Sequence, residues 1–392
     1  MPDWFAPFRP RRAPAPEAKT APALSLHDLP QPIWTPRDYG ALAREGYARN
    51  PVVHRCVRMI AEAAAGIALK VTVGGAPAPD HPLARLLLAP NPDQTGHELM
   101  EAFYGYLQVA GNAYLLATML GEAPGALHAL RPDRTRVIPG PRGWPVGWVH
   151  GPPGAGGSTF LRDPATGASP VLHLKLFHPA DDHYGLSPLE AAAAAVDIHN
   201  AGGAWNKALI DNAARPSGAL VFQGRDATDR LSGEQFDRLK AELERAHTGP
   251  SGAGRPLLLE GGLDWKPMSL TPADMDFQEA RNGAAREIAL AFGVPPMLLG
   301  IPGDNTYANY REANLAFWRQ TVLPLVAKTA RALTVWLGAR WADRPEVVPD
   351  LEAAPALQSE REALWARLEA ASFLTTAEKR SAAGLPAEGG PQ

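Results

Sequence analysis

"VPPMLLGIPGDNTYANYREANLAFWRQTVLPLV", residues 294–326, interrupts a helical layout twice. An apolar helical run closes at Phe292, and Gly293 with Pro295–Pro296 stops it, because proline offers no N–H and fixes its own φ. A polar, glycine-bearing loop follows. A long helical pattern then starts near Tyr307 and carries Pro324 inside it, where the missing donor and the ring's clash with the preceding turn predict a kink. What the double interruption serves depends on the elements either side of it.

Upstream, Thr271, Pro272 and Asp274 open the helix that runs to Phe292. Residues 216–270 read as a small α/β insert: "GALVFQ" as a strand, Ser232–Ala246 as a helix with Phe236, Leu239 and Leu243 on one face, and strands in "RPLLLEGGLDWKPMSL". Ahead of the insert lies another helix, Ser187–Asn212. Ser187 can cap it, Pro188 suits the first helical position, Glu190 completes a capping box, and Ala191–Ala195 supplies strong propensity. Gly202–Gly203 weakens its middle. Asp197, Asn200, Asn206, Lys207 and Asp211 are spread around a thin apolar stripe, which implies contacts on more than one side and suits an oligomer.

The first half of the chain reads as mixed α+β. Residues 1–32, rich in proline and alanine, show no apolar period and are expected to be a disordered arm. From Asn50 a helix begins, with Val53, Cys56, Val57, Ile60 and Ala64 at helical spacing and Gly66 at its end. "KVTVGG" is a strand entering a turn. A second helix carries Thr95 and Glu98 as a capping box and Leu99, Ala102, Phe103 and Tyr106 as its apolar face. Gly111 breaks it, and "NAYLLATM", "LRPDRTRVIPG", "PVGWVHG" and "PVLHLKLF" follow as strands.

Composition excludes several classes. The 38 basic and 41 acidic residues give a formal charge of −3, without the concentrated basic footprint of an affinity-driven DNA binder. One cysteine, Cys56, rules out an intrachain disulfide and reads as a buried structural thiol. No run of about 18 apolar residues and no hydrophobic signal core appears, so the expectation is a soluble chain made in the cytoplasm, with no membrane partner. "GPPGAGGS", Gly151–Ser158, outlines a phosphate loop but puts Gly157 where the lysine must stand. "HPADDH", His178–His183, suggests a metal site, yet it lies between a strand and a capped helix and reads better as a polar turn. Asp181–Asp182 and Asp274–Asp276 are ordinary cap and turn chemistry. The ten tryptophans lack the basic interleaving of a base-stacking strip and read as core and interface anchors. No catalytic residue, metal ligand or cofactor-binding residue is expected.

Six stretches, in order over about residues 45–390, carry a resemblance: "NPVVHRCVRMIAEAAAGIALKV", "HPLARLLLAPNPDQT", "GNAYLL", "DHYGLSPLEAA", "GVPPMLLG" with "NTYANYREA", and "LTTAEKRSAAGLPAEGG". Each alone is weak. Together and in register they resemble the portal protein family of tailed bacteriophages, in its long-tailed branch. The resemblance implies an α+β portal-type fold: wing 33–186, stem helix 187–214, clip 215–270, second stem helix 271–293, tunnel loop region 294–309, kinked wing-to-crown helix 310–341 and C-terminal crown 342–392. Clip and crown are short for the family.

Function follows from the resemblance as expectation. Such proteins form a ring, usually of twelve copies, at one capsid vertex, and double-stranded DNA is packaged and ejected through its channel without sequence specificity. The terminase motor and the head–tail connector or adaptor would meet the clip, the major capsid protein the wing. The double interruption is then a loop reaching into the tunnel. Gly303, Asp304, Asn305, Thr306 and Tyr307 would face DNA, and Pro324 would kink the following helix. No arginine or lysine occurs between Met297 and Tyr310, so a polyanion would slide rather than stick. The alanine-, arginine-, glycine- and proline-heavy composition suits a prophage or a gene transfer agent as well as a phage. Two other classes stay open: a metal-dependent hydrolase using His178–His183, and a monomeric interaction scaffold.

Overall fold

In a computed structural model the residues described are 34–121, 123–141, 143–152, 154, 156–211, 218–222, 232, 234, 235, 237, 238, 241, 263–267, 277–303, 307–351, 354 and 358–383. The expected arm (residues 1–32), most of the insert, residues 271–276 and Asp304–Thr306 fall outside them. Met1–Trp34 and Thr35–Gln392 are separate units, and everything below concerns the second.

Helix α1, Pro51–Ala65, starts where sequence chemistry requires it. Asn50 Oδ1 accepts from the N–H groups of Val52 and Val53, and Pro51 occupies a position that has no helical partner to donate to. Its apolar stripe, Val53, Cys56, Val57, Ile60 and Ala64, is wholly buried. Burial pushes the Cys56 thiol up to about 12, so it stays protonated and unreactive at neutral pH. Helix α2, Pro82–Leu88, is capped by His81, whose Nδ1 accepts from Leu83 N–H at 3.0 Å. Helix α3, Gly96–Ala110, opens with both halves of the Thr95–Glu98 capping box and buries Leu99, Phe103, Tyr104 and Leu107 against α1. Of the apolar face expected from sequence, Ala102 and Tyr106 are only half-buried.

The strands form small antiparallel sheets. β1 (Leu69–Val73) pairs with β2 (Ala76–Pro77), and β3 (Asn112–Leu120) lies between β4 (Ala123–Leu130) and β8 (Val171–Lys175). β6 (Pro145–His150) lies between β5 (Thr135–Pro139) and β7 (Ser158–Leu161). β4, β7 and a late strand, Glu346–Pro349, escape the periodicity reading. The late strand pairs with β1, joining sequence positions far apart.

Gly111 and Gly185 meet backbone to backbone. Gly111 has φ 69, and a Cβ there would lie 2.4 Å from Gly185 O; one on Gly185 would lie 2.2 Å from Gly111 O. Asn112 seals the junction with its whole hydrogen-bonding capacity. Nδ2 donates to Ala110 O at 2.8 Å and Gly185 O at 3.2 Å, while Oδ1 accepts from Gly185 N–H at 2.8 Å and faces His173 Nε2 at 2.9 Å. With Asn112 Oδ1 taken as acceptor, His173 carries its proton on Nε2. The His173 ring stacks on Tyr114 with centroids 4.3 Å apart. Burial, then the charges of Lys175, His183 and Arg162, push its pKa down to about 3.

From this junction the chain enters its long helices. Ser187 Oγ accepts from Glu190 N–H at 2.9 Å, as the cap reading requires. The helix is not continuous, however. Pro188–Ala191 forms one turn, Ala192 breaks it with ψ near 1°, and helix α4 runs Ala193–Asp211, about 28 Å at 1.5 Å per residue. Ala192, Ala193, Ala195 and Val196 are all buried, so packing of small side chains on the core overrides alanine's helix propensity at the break. Helix α5, Phe277–Phe292, packs against α4, and strands β9 (Gly218–Phe222) and β10 (Leu263–Pro267) pair antiparallel between them in sequence.

The last long element is helix α6, Tyr307–Phe317, a π-helical turn Trp318–Val322, and helix α7, Leu323–Leu337. Leu323 N–H reaches Trp318 O, one residue further back than in an α-helix. Pro324 follows at once, and its ring would crowd the Gln320 carbonyl in a regular α-helix. By length and composition Asn309–Arg340 meets the criteria for a membrane span. Its apolar face, Val322, Val326, Leu333 and Leu337, is buried in the protein core instead. Helices α8 (Gln358–Ala370) and α9 (Thr376–Ala382) close the described chain, α9 with a Thr375–Glu378 capping box.

Two measurements check the junction. Asn112→Ala strands buried N–H and C=O groups of Gly185, so the protein should lose about 3 kcal/mol in denaturant unfolding; an unchanged midpoint would show that the carboxamide is dispensable. His173 has a folded pKa below its unfolded value near 6.5, so the unfolded state binds the extra proton. Its contribution is present above about pH 6.5 and is lost as pH falls toward 3. Melting temperature should therefore drop on acidification less steeply in His173→Gln than in the wild type.

Candidate functional site

The loop singled out by sequence leaves α5 through a two-bond glycine cap. Val294 N–H reaches Ala289 O at 2.9 Å and Gly293 N–H reaches Leu290 O at 3.0 Å, with Gly293 at φ 65. Val294 is buried beneath it. Thr321, in the π turn, donates from Oγ1 to Gly293 O at 2.6 Å, tying the end of α5 to the long helix. The double proline then forms a 3₁₀ turn, Pro296–Leu299, closed by Gly300 at φ 71. Ile301 is buried with Ala285 and Ala289 of α5.

The loop's first limb is thus anchored on α5 as far as Gly303. The guanidinium of Arg286 donates to Pro302 O and lies against Gly303. Sequence reading, which found no cation between Met297 and Tyr310, missed this one, because it arrives from the preceding helix. Asp304, Asn305 and Thr306 lie outside the described residues, and Tyr307 is described only as the first residue of α6.

Both long helices are held at their root by a second polar joint. Asn50, fixed by the two N–H groups it caps, turns Nδ2 to His199 Nδ1 at 3.1 Å and to Asn200 Oδ1 at 3.0 Å. Asn200 Nδ2 donates to Glu45 O at 2.8 Å. Arg281 Nε–H of α5 points at His199 Nε2 at 3.4 Å. A neutral imidazole has a single acceptor nitrogen, so the ring takes either this bond or the one from Asn50 Nδ2, according to its tautomer. Burial first, and the Arg281 charge second, keep this imidazole's pKa below its ordinary value and so favour the neutral ring. One asparagine therefore joins α1, α4 and, through His199, α5. Asn50 was legible as a helix start; His199 and Arg281 carried no sequence signal.

The His178–His183 segment is a polar turn. His178 Nδ1 accepts from Ala180 N–H at 3.0 Å, and Asp181 Oδ1 accepts from His183 and Tyr184 N–H at 2.7 and 2.9 Å. Those bonds hold the Asp181 carboxyl below its usual range. Among the described residues no group of three His, Cys, Asp or Glu side chains could hold a metal ion.

Comparison with known proteins agrees with this geometry. A protein of Rickettsia bellii (strain RML369-C) is 43% identical over 345 residues, spanning 87% of this chain and 88% of its own. A chain in the neck of an empty gene transfer agent (GTA) particle, computed with C6 symmetry, is 52% identical, with a TM-score of 0.72 over 91% of this chain and 96% of that one. The corresponding chain in the neck of a native GTA particle, computed with C12 symmetry, is 51% identical, with a TM-score of 0.69 over the same shares. The family model described as "Phage portal protein" matches residues 51–384, which take in the core helices, the Asn112 junction, the loop and the long helix, and the chain belongs to the phage portal protein family.

Proposed function

We propose that this chain is the portal subunit of a gene transfer agent or phage-like particle, a non-catalytic structural protein that assembles as a twelve-membered ring at one vertex. The observation that carries the reading is the match, over 91% of this chain and 96% of the other, to a chain in a GTA neck computed with C12 symmetry. The single chain itself supports assembly. Leu290 on α5 is 80% exposed and Ile198 on α4 is 45% exposed, although both helices are long and packed on each other. Apolar side chains left open on such helices call for neighbouring copies.

Within that ring α4 and α5 serve as stem, the β9–β10 segment as clip, residues 33–186 with α7 as wing, and α8–α9 as crown. The clip is the surface for packaging motor and connector, the wing for the shell protein. Gly303–Tyr307 projects into the channel from a base anchored by Arg286 and Ile301. Pro324, beside the π turn, bends the long helix from channel toward crown. DNA passes as a polyanion, without base contacts.

Two outcomes test the reading. Light scattering on the purified protein should give many times the mass of one chain, near twelvefold; a monodisperse monomer at all concentrations and salts overturns it. Asp304→Lys would turn a ring of about twelve carboxylates into cations. Rings should still assemble, DNA should bind inside them at low salt and release steeply as salt rises, and particles should deliver less DNA. Normal rings with normal delivery would move the channel lining elsewhere.

A further inference from the structure

Between the β7–β8 connection and the C-terminal half of α7 runs a groove of about 690 Å³. Three guanidinium groups line it: Arg162 from the connection, Arg331 and Arg340 from the helix side. Two are set in place. Arg340 Nη2 and Trp336 Nε1 converge on Ser169 O at 2.9 and 2.8 Å, and Arg162 lies 5.2 Å over the ring of the buried Trp148. Arg331 is exposed, as are Val335 and Ala339 at successive turns of the same stripe, Val335 by 78%.

No carboxylate among the described residues pairs with any of the three arginines. The acid next to them, Asp163, turns back onto its own loop, accepting from Ala165 N–H at 2.8 Å and Thr166 Oγ1 at 2.6 Å. Lys328, one turn before Arg331, adds cationic charge to the helix and donates to Lys175 O at 2.6 Å. His173 also lines the groove but stays neutral. The floor is apolar: Leu172, Ala332, Val335 and Trp336.

We propose that this groove docks an acidic segment of a partner protein, one that alternates carboxylates with aliphatic side chains. The arginine fork matches a carboxylate bidentately, and arginine with tryptophan around an apolar centre is the composition of an interaction hot spot. Charge complementarity selects the acidic partner. The apolar lining selects a peptide over nucleic acid, because a duplex presents phosphates at its rim and would leave the exposed Val335 uncovered.

The test is fluorescence anisotropy on assembled full-length protein with a labelled peptide of alternating glutamate and leucine, beside a labelled DNA duplex. Wild type should bind the peptide, and raised salt should weaken binding about tenfold. Arg331→Glu should weaken it at least about tenfold while native mass and melting temperature hold, because Arg331 is exposed and without an ion pair. Val335→Asp should weaken it similarly and covers the case in which the first variant misfolds. Absence of peptide binding by wild type, equal binding by both variants, or a preference for the duplex that Arg331→Glu abolishes would overturn the proposal. So would a fall in native mass in Arg331→Glu, which would make the groove a contact between copies.

Discussion

Everything downstream of the sheet depends on Asn112 and the two glycines it joins. The turn after α3 and the segment entering α4 approach so closely that neither Gly111 nor Gly185 can carry a side chain. Asn112 then spends all of its donors and acceptors on that contact. A buried carboxamide with every lone pair engaged tolerates little displacement, since each lost bond leaves an unpaired polar group. The point at which the chain leaves the sheet is therefore set by hydrogen bonds, and the packing of Ala192 and Ala193 on the core then sets where α4 begins.

The same economy recurs at Asn50. One side chain caps α1, holds α4 through His199 and Asn200, and brings α5 within reach through His199 and Arg281. Two long helices with sparse apolar faces are thereby rooted without a large core of their own. Ile198 on α4 and Leu290 on α5 stay exposed beside that root. The loop leaving α5 follows the same logic: the glycine cap, Thr321 and Arg286 fix its base.

Of the candidate site, the parts written in local chemistry were readable. Asn50 before Pro51, Thr95 with Glu98, Ser187 before Pro188 and Gly293 before Pro295–Pro296 are signals spanning a few residues, and each stands where its chemistry says. The buried stripe of α1 follows from spacing alone. The break at Ala192 was not readable, because helix propensity of the alanine run points one way and the packing of Ala192 and Ala193 the other. Arg286 at the base of the loop and His199 beneath Arg281 were not readable either, since nothing local marks which residue of one helix will face which residue of another.

The sequence by itself determined the caps that start α1 and α3, the glycine stop of α5, which stripe of α1 is core, and, through six ordered motifs, the family. Caps, glycine turns and apolar periodicity act over a few residues, and so they survive in a linear reading. Only the tertiary structure decided that "GNAYLL" and "DHYGLSPLEAA" are two halves of one junction, that a π turn precedes Pro324, and that Arg162, Arg331 and Arg340 line one groove. The π turn, though local, carries no short-range sequence pattern that marks it. The junction and the groove join residues far apart in the chain, with partners chosen by the packing of whole elements.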